Sequence, residues 1–350
     1  METNQTWIDL SQKIAESPGL SVIIGATDTG KTTLAKFLIK EWTRQGFKVA
    51  FVDGDMGQST LGPPGALGMR VFDTSNLNFE NSQFTKDISL YFIGSYSPVG
   101  YLLQTVVGVN ELVRKAESHK PDIILVDTTG LVFGGVGEHL KYRKLQLLQP
   151  KHVLIIQKSG ELEHLKNLIK KDGLTIHDLV QSSHIKIRSP EVRRNHRIQR
   201  LKEYFKGSKV CKLNFPKTII WGSDYFSGMR LTDEELHFCS QILEGRILYG
   251  EKGGRTLFLL KKDFIFLKHQ ETIKAKYNVT NLLITNNWGF TNRLVAMYDT
   301  IGEILTIGIL KRVDFEHKVI NVLGNLEKLE TIECMEIGKE TIDDVSAKSE

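Results

Sequence analysis

The fold is decided by one stretch of eight residues, GATDTGKT at positions 25–32. It fits G-x-x-x-x-G-K-[ST], a loop whose backbone N–H groups surround phosphates, whose lysine reaches the β- and γ-phosphates and whose hydroxyl binds Mg²⁺. The apolar run 20–24 before it predicts a short buried strand, and residues 33–40 after it predict a helix. A glycine-rich turn is the alternative, but this order of strand, loop and helix favours a nucleoside triphosphate site.

The loop and the first helical residues supply the candidate nucleotide ligands. Lys31 is in addition a candidate for catalysis, and Thr32 is a candidate metal ligand, because phosphoryl transfer needs positive charge on the phosphates. The full set of predicted nucleotide-binding residues is Gly25, Thr27, Asp28, Thr29, Gly30, Lys31, Thr32 and Thr33.

The whole-chain composition is that of an ordinary globular protein. Its 350 residues are enough for two domains, and the formal net charge is +5. The three cysteines, Cys211, Cys239 and Cys334, form no metal-binding spacing, so we expect buried free thiols. The chain has neither a signal-peptide pattern nor an apolar run of the roughly 20 residues that span a bilayer. We therefore expect a cytoplasmic protein without membrane contact.

Strands and helices are predicted to alternate over the first part of the chain. Such alternation is typical of a parallel α/β sheet, whose ligands bind at the carboxyl ends of the strands. The sequence thus predicts a P-loop NTPase sheet flanked by helices. Besides 20–24, the predicted strands are 47–52, 90–94, 122–127 and 152–157.

The pattern changes near residue 215, where short β-branched runs separated by glycine and asparagine predict a small β-rich domain. One helix interrupts it at 231–243, and a second is suggested near 268–276. The predicted boundaries are an N-terminal helix at 1–18, a P-loop domain at 19–214, a β-rich C-terminal domain at 215–338 and an acidic tail at 339–350.

An acidic cluster follows the second predicted strand. Asp53 and Asp55 stand where P-loop proteins carry a carboxylate that binds Mg²⁺ or orients the nucleophile. Asp53 is the candidate metal ligand, and Asp55, further beyond the strand, is the better candidate for the phosphate side. Gln58 is placed to hydrogen-bond an incoming substrate. A turn and helix-cap cluster is the alternative for both carboxylates.

The fourth predicted strand ends in DTTG at 127–130, which matches the D-x-x-G of many GTPases. Two fixed letters make a weak signal. The strand at 152–157 continues as Lys158-Ser159-Gly160, without the aspartate that reads guanine. This argues against a GTPase.

The segment from Lys186 to Lys212 is strongly basic, with ten Lys or Arg against two Glu. Ser189 and Pro190 predict a helix start, and Arg193, Arg197 and Arg200 then share one face. A solvated basic face and a nucleic-acid contact are two interpretations. Next to a P-loop, the segment also fits an arginine-bearing lid, at about 188–206, that stabilises the transferring phosphoryl group.

These stretches resemble the polynucleotide 5′-hydroxyl kinase family, which includes the kinase subunit of the eukaryotic pre-mRNA cleavage factor, ribosomal-RNA-processing kinases and archaeal homologues. The similar stretches are GATDTGKT at 25–32, DGDMGQ at 53–58, TTG at 128–130 and the segment 188–205. The resemblance implies ATP- and Mg²⁺-dependent transfer of the γ-phosphate to the 5′-hydroxyl of RNA, with DNA as the other acceptor. It names no protein partner.

The resemblance also implies roles for single residues. Asp55 would accept the proton of the 5′-hydroxyl, with Gln58 beside the substrate. Arg193 and Arg197 would act in catalysis as a lid over the γ-phosphate. The terminal nucleotide would be held by a clasp, a loop made of Thr128, Thr129 and Gly130.

The sequence departs from the family in two places. The clasp of the family commonly continues with an aromatic residue that stacks on a base, whereas this chain has Leu131, so stacking would fall to Tyr96, Tyr101 or Phe133. Eukaryotic members have a separate N-terminal domain that helps hold adenine, whereas this sequence has fewer than 20 residues before its first predicted strand, which leaves ATP or GTP open. Two other hypotheses are a catalytically silent ATP-binding scaffold in an RNA-processing complex and a nucleotide-driven assembly ATPase.

Overall fold

The computed structural model describes residues 5–76, 87–182, 185, 187–215, 217–223, 226–262, 269–286, 291–325 and 331–342. Contacts divide the chain into two units, one ending at Tyr204 and the other beginning at Phe205. Lys186 of the basic segment and residues 343–350 of the predicted tail lie outside the described residues.

The first unit contains six helices and seven strands within its described residues. The helices are α1 (Gln5–Ala15), α2 (Lys31–Arg44), α3 (Leu102–Ser118), α4 (Gly134–Leu148), α5 (Glu163–Ile169) and α6 (Pro190–Tyr204). The strands are β1 (Leu20–Gly25), β2 (Val49–Gly54), β3 (Ala66–Phe72), β4 (Ser89–Phe92), β5 (Ile123–Thr128), β6 (His152–Gln157) and β7 (Thr175–Val180).

These strands form one sheet in the order β4-β3-β2-β5-β1-β6-β7. Strands β2, β5, β1 and β6 are parallel, as predicted, and β7, which the sequence did not predict, extends the parallel part of the sheet beyond β6. The sequence did not predict β3, which runs antiparallel to β2. The turn at 61–65, with Gly62 and Gly65 at positive φ, sends the chain straight back along β2 without a helix between the strands.

Alternate side chains of the sheet fill two cores, one on each face. Val22 and Ile24 of β1 face a core with α3, α4 and α5, whereas Ile23 faces a core with α1 and α2. In the second core the Trp42 indole is fully buried and donates to the Ser11 carbonyl at 3.0 Å. The sheet is therefore covered on both sides, and its carboxyl edge is left for ligands.

The second unit is β-rich, as predicted. Its strands are β8 (Lys209–Asn214), β9 (Ile219–Trp221), β10 (Met229–Arg230), β11 (Ile247–Gly253), β12 (Thr256–Lys261), β13 (Asn281–Thr285), β14 (Arg293–Tyr298), β15 (Ile304–Asp314), β16 (Val319–Gly324) and β17 (Cys334–Thr341). The helices are α7 (Asp233–Ile242) and α8 (Gln270–Tyr277). The strands form a four-stranded sheet, β10-β11-β12-β13, and a six-stranded sheet, β8-β16-β15-β14-β17-β9.

Two predicted boundaries differ from the observed elements. Strand β8 ends at Asn214, inside the predicted P-loop domain, yet it pairs along its length with β16. Strand β17 continues to Thr341, although the acidic tail was predicted to begin at 339. Both differences arise from pairing between strands that are distant in the chain, which local composition does not record.

The cysteines are free, as expected, and Cys239 alone of the three is fully buried. Among the described residues, no helix is both long and apolar enough to cross a membrane.

Glu336 gives the second unit a pH-dependent stability. It accepts a hydrogen bond from the Tyr298 hydroxyl on the neighbouring strand, and burial raises its pKa from 4.5 to about 7. A carboxyl group whose pKa is higher in the folded than in the unfolded protein stabilises the fold. This stabilisation is complete at pH values below the unfolded-state pKa and is lost as the pH rises through the folded-state pKa. We predict that the free energy of unfolding falls between about pH 5 and 7, and that Glu336→Gln reduces this fall.

Urea unfolding followed at several pH values checks this prediction. Glu333→Gln, a change at an exposed position three residues away, is the matched control and should keep the wild-type pH profile. Identical profiles for Glu336→Gln and wild type would contradict the assignment.

Candidate nucleotide and acceptor site

The phosphate-binding loop lies between β1 and α2. Gly30 and Asp28 have positive φ values of 91° and 56°, which turn the backbone into the helix. The Thr29 hydroxyl and the Lys31 ammonium both donate to the Ala26 carbonyl, at 2.9 and 2.7 Å. Lys31 is buried, so the loop holds its own lysine over the position where the motif places phosphates.

Gly25 and Gly130 allow close approach around this loop. A Cβ atom on Gly25 would lie 2.9 Å from the Ile156 carbonyl oxygen of β6. A Cβ atom on Gly130 would lie 2.6 Å from the Thr27 Cα, so the clasp rests directly on the phosphate-binding loop. Thr33, the last predicted nucleotide residue, is exposed in the first turn of α2.

The Thr32 hydroxyl is joined to the neighbouring strand. It donates to Asp127 Oδ2 of β5 at 2.7 Å. The other carboxylate oxygen, Oδ1, is buried and meets no hydrogen-bond partner among the described residues. Burial raises the pKa of Asp127, and Lys31 and Thr32 oppose this rise. A hydroxyl and a buried carboxylate beside a phosphate-binding loop are the donor set that P-loop proteins use for Mg²⁺.

Asp53, the residue predicted to bind metal, has a different environment. Its Oδ2 accepts hydrogen bonds from the Thr60 and Leu61 N–H groups, and its Oδ1 accepts one from the Asp55 N–H at 3.1 Å. Burial and the nearby Asp127 raise its pKa to about 7. The structure thus brings Asp127, and not Asp53, to the Thr32 hydroxyl, while Asp53 holds the loop after β2.

Asp55 and Gln58 lie at the same edge of the sheet. Asp55 Oδ1 accepts from the N–H groups of Gly57 and Gln58, at 2.9 and 3.1 Å, which fixes the carboxylate after the strand end. The Gln58 amide nitrogen donates to the Gly57 carbonyl. Its Oε1 is buried without a hydrogen-bond partner among the described residues, so one acceptor remains available to a ligand.

The clasp is held by a lysine that lies outside the sequence motifs. Thr128 Oγ1 donates to the Ile23 carbonyl at 2.8 Å and accepts from Lys141 Nζ of α4 at 2.9 Å. The same ammonium donates to the Thr129 carbonyl and, at 3.3 Å, to the Thr129 hydroxyl. Burial, together with Lys144 and Lys31, lowers the pKa of Lys141 well below its ordinary value.

Lys144 is a second buried lysine, three residues further along α4. Its ammonium meets no hydrogen-bond partner among the described residues. Burial lowers its pKa to about 8, and Asp55 and Asp127 act in the opposite direction. The sequence contains a pattern that could have indicated these buried lysines. Lys141 and Lys144 interrupt the apolar face of α4, which is formed by Leu140, Leu145 and Leu148.

The basic helix α6 contacts the phosphate-binding loop through its arginines. Arg193 Nη2 donates to Asp28 Oδ2 at 3.1 Å, and the Arg188 N–H donates to the same oxygen at 3.0 Å. Arg197 lies over the Tyr96 ring, 5.1 Å from its centroid. Arg200 is buried and donates to the Thr60 and Gly62 carbonyls. One end of the helix is thus fixed to the loop that Asp53 holds, and the other contacts Asp28.

The proposed stacking residues differ in exposure. Leu131 and Tyr101 are half-buried, and the Tyr96 ring already contacts Arg197. Phe133 is 54% exposed directly after the clasp. Of the three aromatic candidates, Phe133 therefore offers the most open ring face.

Asp28 should restrain the start of α6. Its carboxylate is 6% exposed and forms ion pairs with Arg188 and Arg193. Asp28→Asn keeps a residue that tolerates positive φ but removes the charge. We predict about tenfold faster amide hydrogen exchange over residues 188–194, since a charge-assisted hydrogen bond contributes about 1.5–3 kcal/mol.

Hydrogen exchange read by mass spectrometry measures this effect. Glu316→Gln, which removes the charge that pairs with Arg246 in the second unit, is the control and should leave residues 188–194 unchanged. Unaltered exchange in Asp28→Asn would show that the ion pairs do not restrain the helix.

The loop between β1 and α2, with the Thr32–Asp127 pair beside it, defines a P-loop nucleotide-binding protein. Residues 25–207 match the family model described as the mRNA cleavage and polyadenylation factor CLP1 P-loop. The chain belongs to this family. The resemblance predicted from its motifs is therefore confirmed.

Curated relatives extend the similarity beyond the matched segment. The polyribonucleotide 5′-hydroxyl-kinase of Methanocaldococcus jannaschii is 31% identical over 338 residues, which cover 95% of this chain and 89% of the relative. The protein of the same description from Pyrococcus abyssi is 31% identical over 92% of this chain and 87% of its own length. The Arabidopsis thaliana CLP1 homologue is 27% identical over 53% of this chain and 43% of its own length.

A solved structure has the same fold. The wild-type Clp1p chain in complex with Pcf11p superimposes with a TM-score of 0.65 at 14% identity, covering 97% of this chain and 80% of that chain. This likeness supports the architecture of both predicted parts, the P-loop sheet and the β-rich C-terminal region.

Proposed function

We propose that this protein is an ATP-dependent polyribonucleotide 5′-hydroxyl kinase. The observation that carries the proposal is the meeting of four elements at one sheet edge: the phosphate-binding loop, Asp55, the clasp and the arginines of α6. The archaeal relatives that align over most of the chain carry this activity in their names. RNA is the acceptor that those names favour, and DNA is the second acceptor to test.

The donor nucleotide is bound by the loop. When the nucleotide binds, Lys31 gives up its hydrogen bond to the Ala26 carbonyl and contacts the β- and γ-phosphates. Arg193 likewise gives up its hydrogen bond to Asp28 and contacts the γ-phosphate. Each exchange replaces a contact inside the protein by a contact to phosphate, so the positive charge reaches the equatorial oxygens without a large movement. Arg197 adds a further charge from the next turn of the helix.

The acceptor is activated by a carboxylate. The 5′-oxygen attacks the γ-phosphorus, its proton passes to Asp55, and the bond from the γ-phosphorus to the bridging oxygen breaks to release ADP. The backbone N–H groups on Asp55 Oδ1 fix the carboxylate for this transfer. Gln58, Thr128, Thr129 and Gly130 hold the terminal nucleotide.

Thr32 and Asp127 would hold Mg²⁺. The orphaned buried Oδ1 of Asp127 and the adjacent hydroxyl fit a hard cation that takes oxygen ligands. Held there, Mg²⁺ would supply positive charge against the β- and γ-phosphates. The hydrogen bonds of Asp53 to the loop at 59–61 favour a structural role for it.

The kinase activity is tested with a 5′-hydroxyl RNA oligonucleotide, its DNA counterpart, ATP and Mg²⁺, by following the appearance of a 5′-phosphate. Asp55→Asn should lower the transfer rate by about 10²–10⁴-fold, the usual contribution of a general base, and should keep ATP binding. Asp9→Asn, at an exposed position of α1, is the control.

Each other outcome has a definite meaning. ATP binding without transfer to either polynucleotide would support the silent scaffold. Hydrolysis that is indifferent to 5′-hydroxyl ends would support the assembly ATPase. Full activity in Asp55→Asn would remove Asp55 as the base.

The metal assignment gives a separate prediction. Asp127→Asn should raise the Mg²⁺ concentration for half-maximal rate by about tenfold or more, because it weakens a direct or water-mediated ligand. Asp53→Asn should lower the melting temperature and leave the Mg²⁺ dependence unchanged. The transfer rate is measured against Mg²⁺ concentration for both variants. If only Asp53→Asn shifts the half-maximal Mg²⁺ concentration, Asp53 is the metal ligand, as predicted from the sequence.

A further inference from the structure

Lys141 is a buried cation whose hydrogen bonds all end on the clasp. Its side chain is 1% exposed, and its acceptors are Thr128 Oγ1, the Thr129 carbonyl and Thr129 Oγ1. An ammonium has three donors, so these three acceptors match its capacity. Burial of a lysine is costly without such compensation, and these contacts supply it for Lys141.

The clasp is consequently fixed from two sides. Thr128 receives the Lys141 bond and donates its own hydroxyl proton to the Ile23 carbonyl of β1. Gly130 lies so close to Thr27 that a side chain at position 130 would come within 2.6 Å of the Thr27 Cα. The three clasp residues therefore have one defined conformation, set by α4 on one side and by the phosphate-binding loop on the other.

Lys144 continues the same helical face. Asp55 and Asp127 are the carboxylates that act on its charge. The two lysines thus offset the negative charge that collects under the acceptor side, where Asp53, Asp55 and Asp127 interact with one another. Of the two, Lys141 makes the direct hydrogen bonds to the clasp.

We propose that Lys141 is a positioning residue for the polynucleotide acceptor, acting through Thr128 and Thr129. This inference rests on the proposed function, since it takes the clasp to bind the terminal nucleotide. Loss of the ammonium leaves three buried acceptors without their donor, and the clasp then adopts several conformations. The nucleotide site keeps its own contacts, from Lys31 and Thr29 to the Ala26 carbonyl.

The test uses Lys141→Met, which keeps length and removes the donors, and Lys141→Gln, which keeps an N–H₂ group. Lys261→Met is the matched control, because Lys261 is equally buried and donates to the Leu243 carbonyl at 2.8 Å in the second unit. Steady-state kinetics with RNA and ATP varied in turn are combined with fluorescence anisotropy of a labelled 5′-hydroxyl RNA and with ATP-binding measurements.

In Lys141→Met the KM for RNA and the RNA dissociation constant should rise about tenfold, with ATP binding changed less than about twofold. Lys141→Gln should lie between Lys141→Met and wild type, and it remains informative if the methionine variant does not fold. Lys261→Met should lower the melting temperature without a selective effect on RNA.

Unchanged RNA affinity in a folded Lys141 variant overturns the inference, as do equal losses for RNA and ATP. Failure of the proposed function looks different. It shows as a wild-type protein that transfers no phosphate, and the anisotropy comparison of Lys141→Met with wild type still decides whether Lys141 positions the RNA.

Discussion

The hydrogen bond from Thr32 to Asp127 joins the parts on which the rest of the site depends. It ties the first turn of α2 to the carboxyl end of β5, across the parallel register of β1 and β5. Because Asp127 is followed directly by the clasp, this contact joins the helix after the phosphate-binding loop to the start of the clasp. A shift of one residue in the register would turn Asp127 to the other face of the sheet.

The two ends of the basic helix have different partners. Asp28, inside the phosphate-binding loop, forms ion pairs with Arg188 and Arg193, whereas the buried Arg200 donates hydrogen bonds to carbonyls of the loop at 59–62. The buried end is held by these two carbonyl contacts. The other end pairs with a carboxylate that, in the proposed function, a γ-phosphate would replace, and this exchange would couple nucleotide binding to the position of the helix.

The sequence predicted those features that are local in the chain. The phosphate-binding loop, four of the five parallel strands, the helix at Pro190 and the arginine face all follow from short patterns, and the structure contains them. The sequence assigned Asp53 as the metal ligand and did not consider Asp127, whose contact with Thr32 depends on the pairing of β5 with β1. Strand β3, the pairing of β8 with β16 and the bonds of Lys141 likewise depend on contacts between distant segments, for which spacing gives no direct signal.

Charge balance links the two halves of the site. Burial raises the pKa of Asp53 and of Asp127, with Asp127 and Asp55 adding to the rise at Asp53 and Asp55 adding to it at Asp127. Lys31 opposes the rise at Asp127, and Asp55 and Asp127 in turn act on Lys141 and Lys144. The lysines differ in their partners: Lys31 contacts its own loop, Lys141 the clasp, and Lys144 no hydrogen-bond acceptor among the described residues. In the proposed function, phosphates would draw Lys31 away from Asp127, while Lys141 would keep its bonds to the clasp. The lysines of α4 would then still face the charge of Asp55 and Asp127 while the loop turns its own charge to the donor, and one sheet edge would serve both substrates.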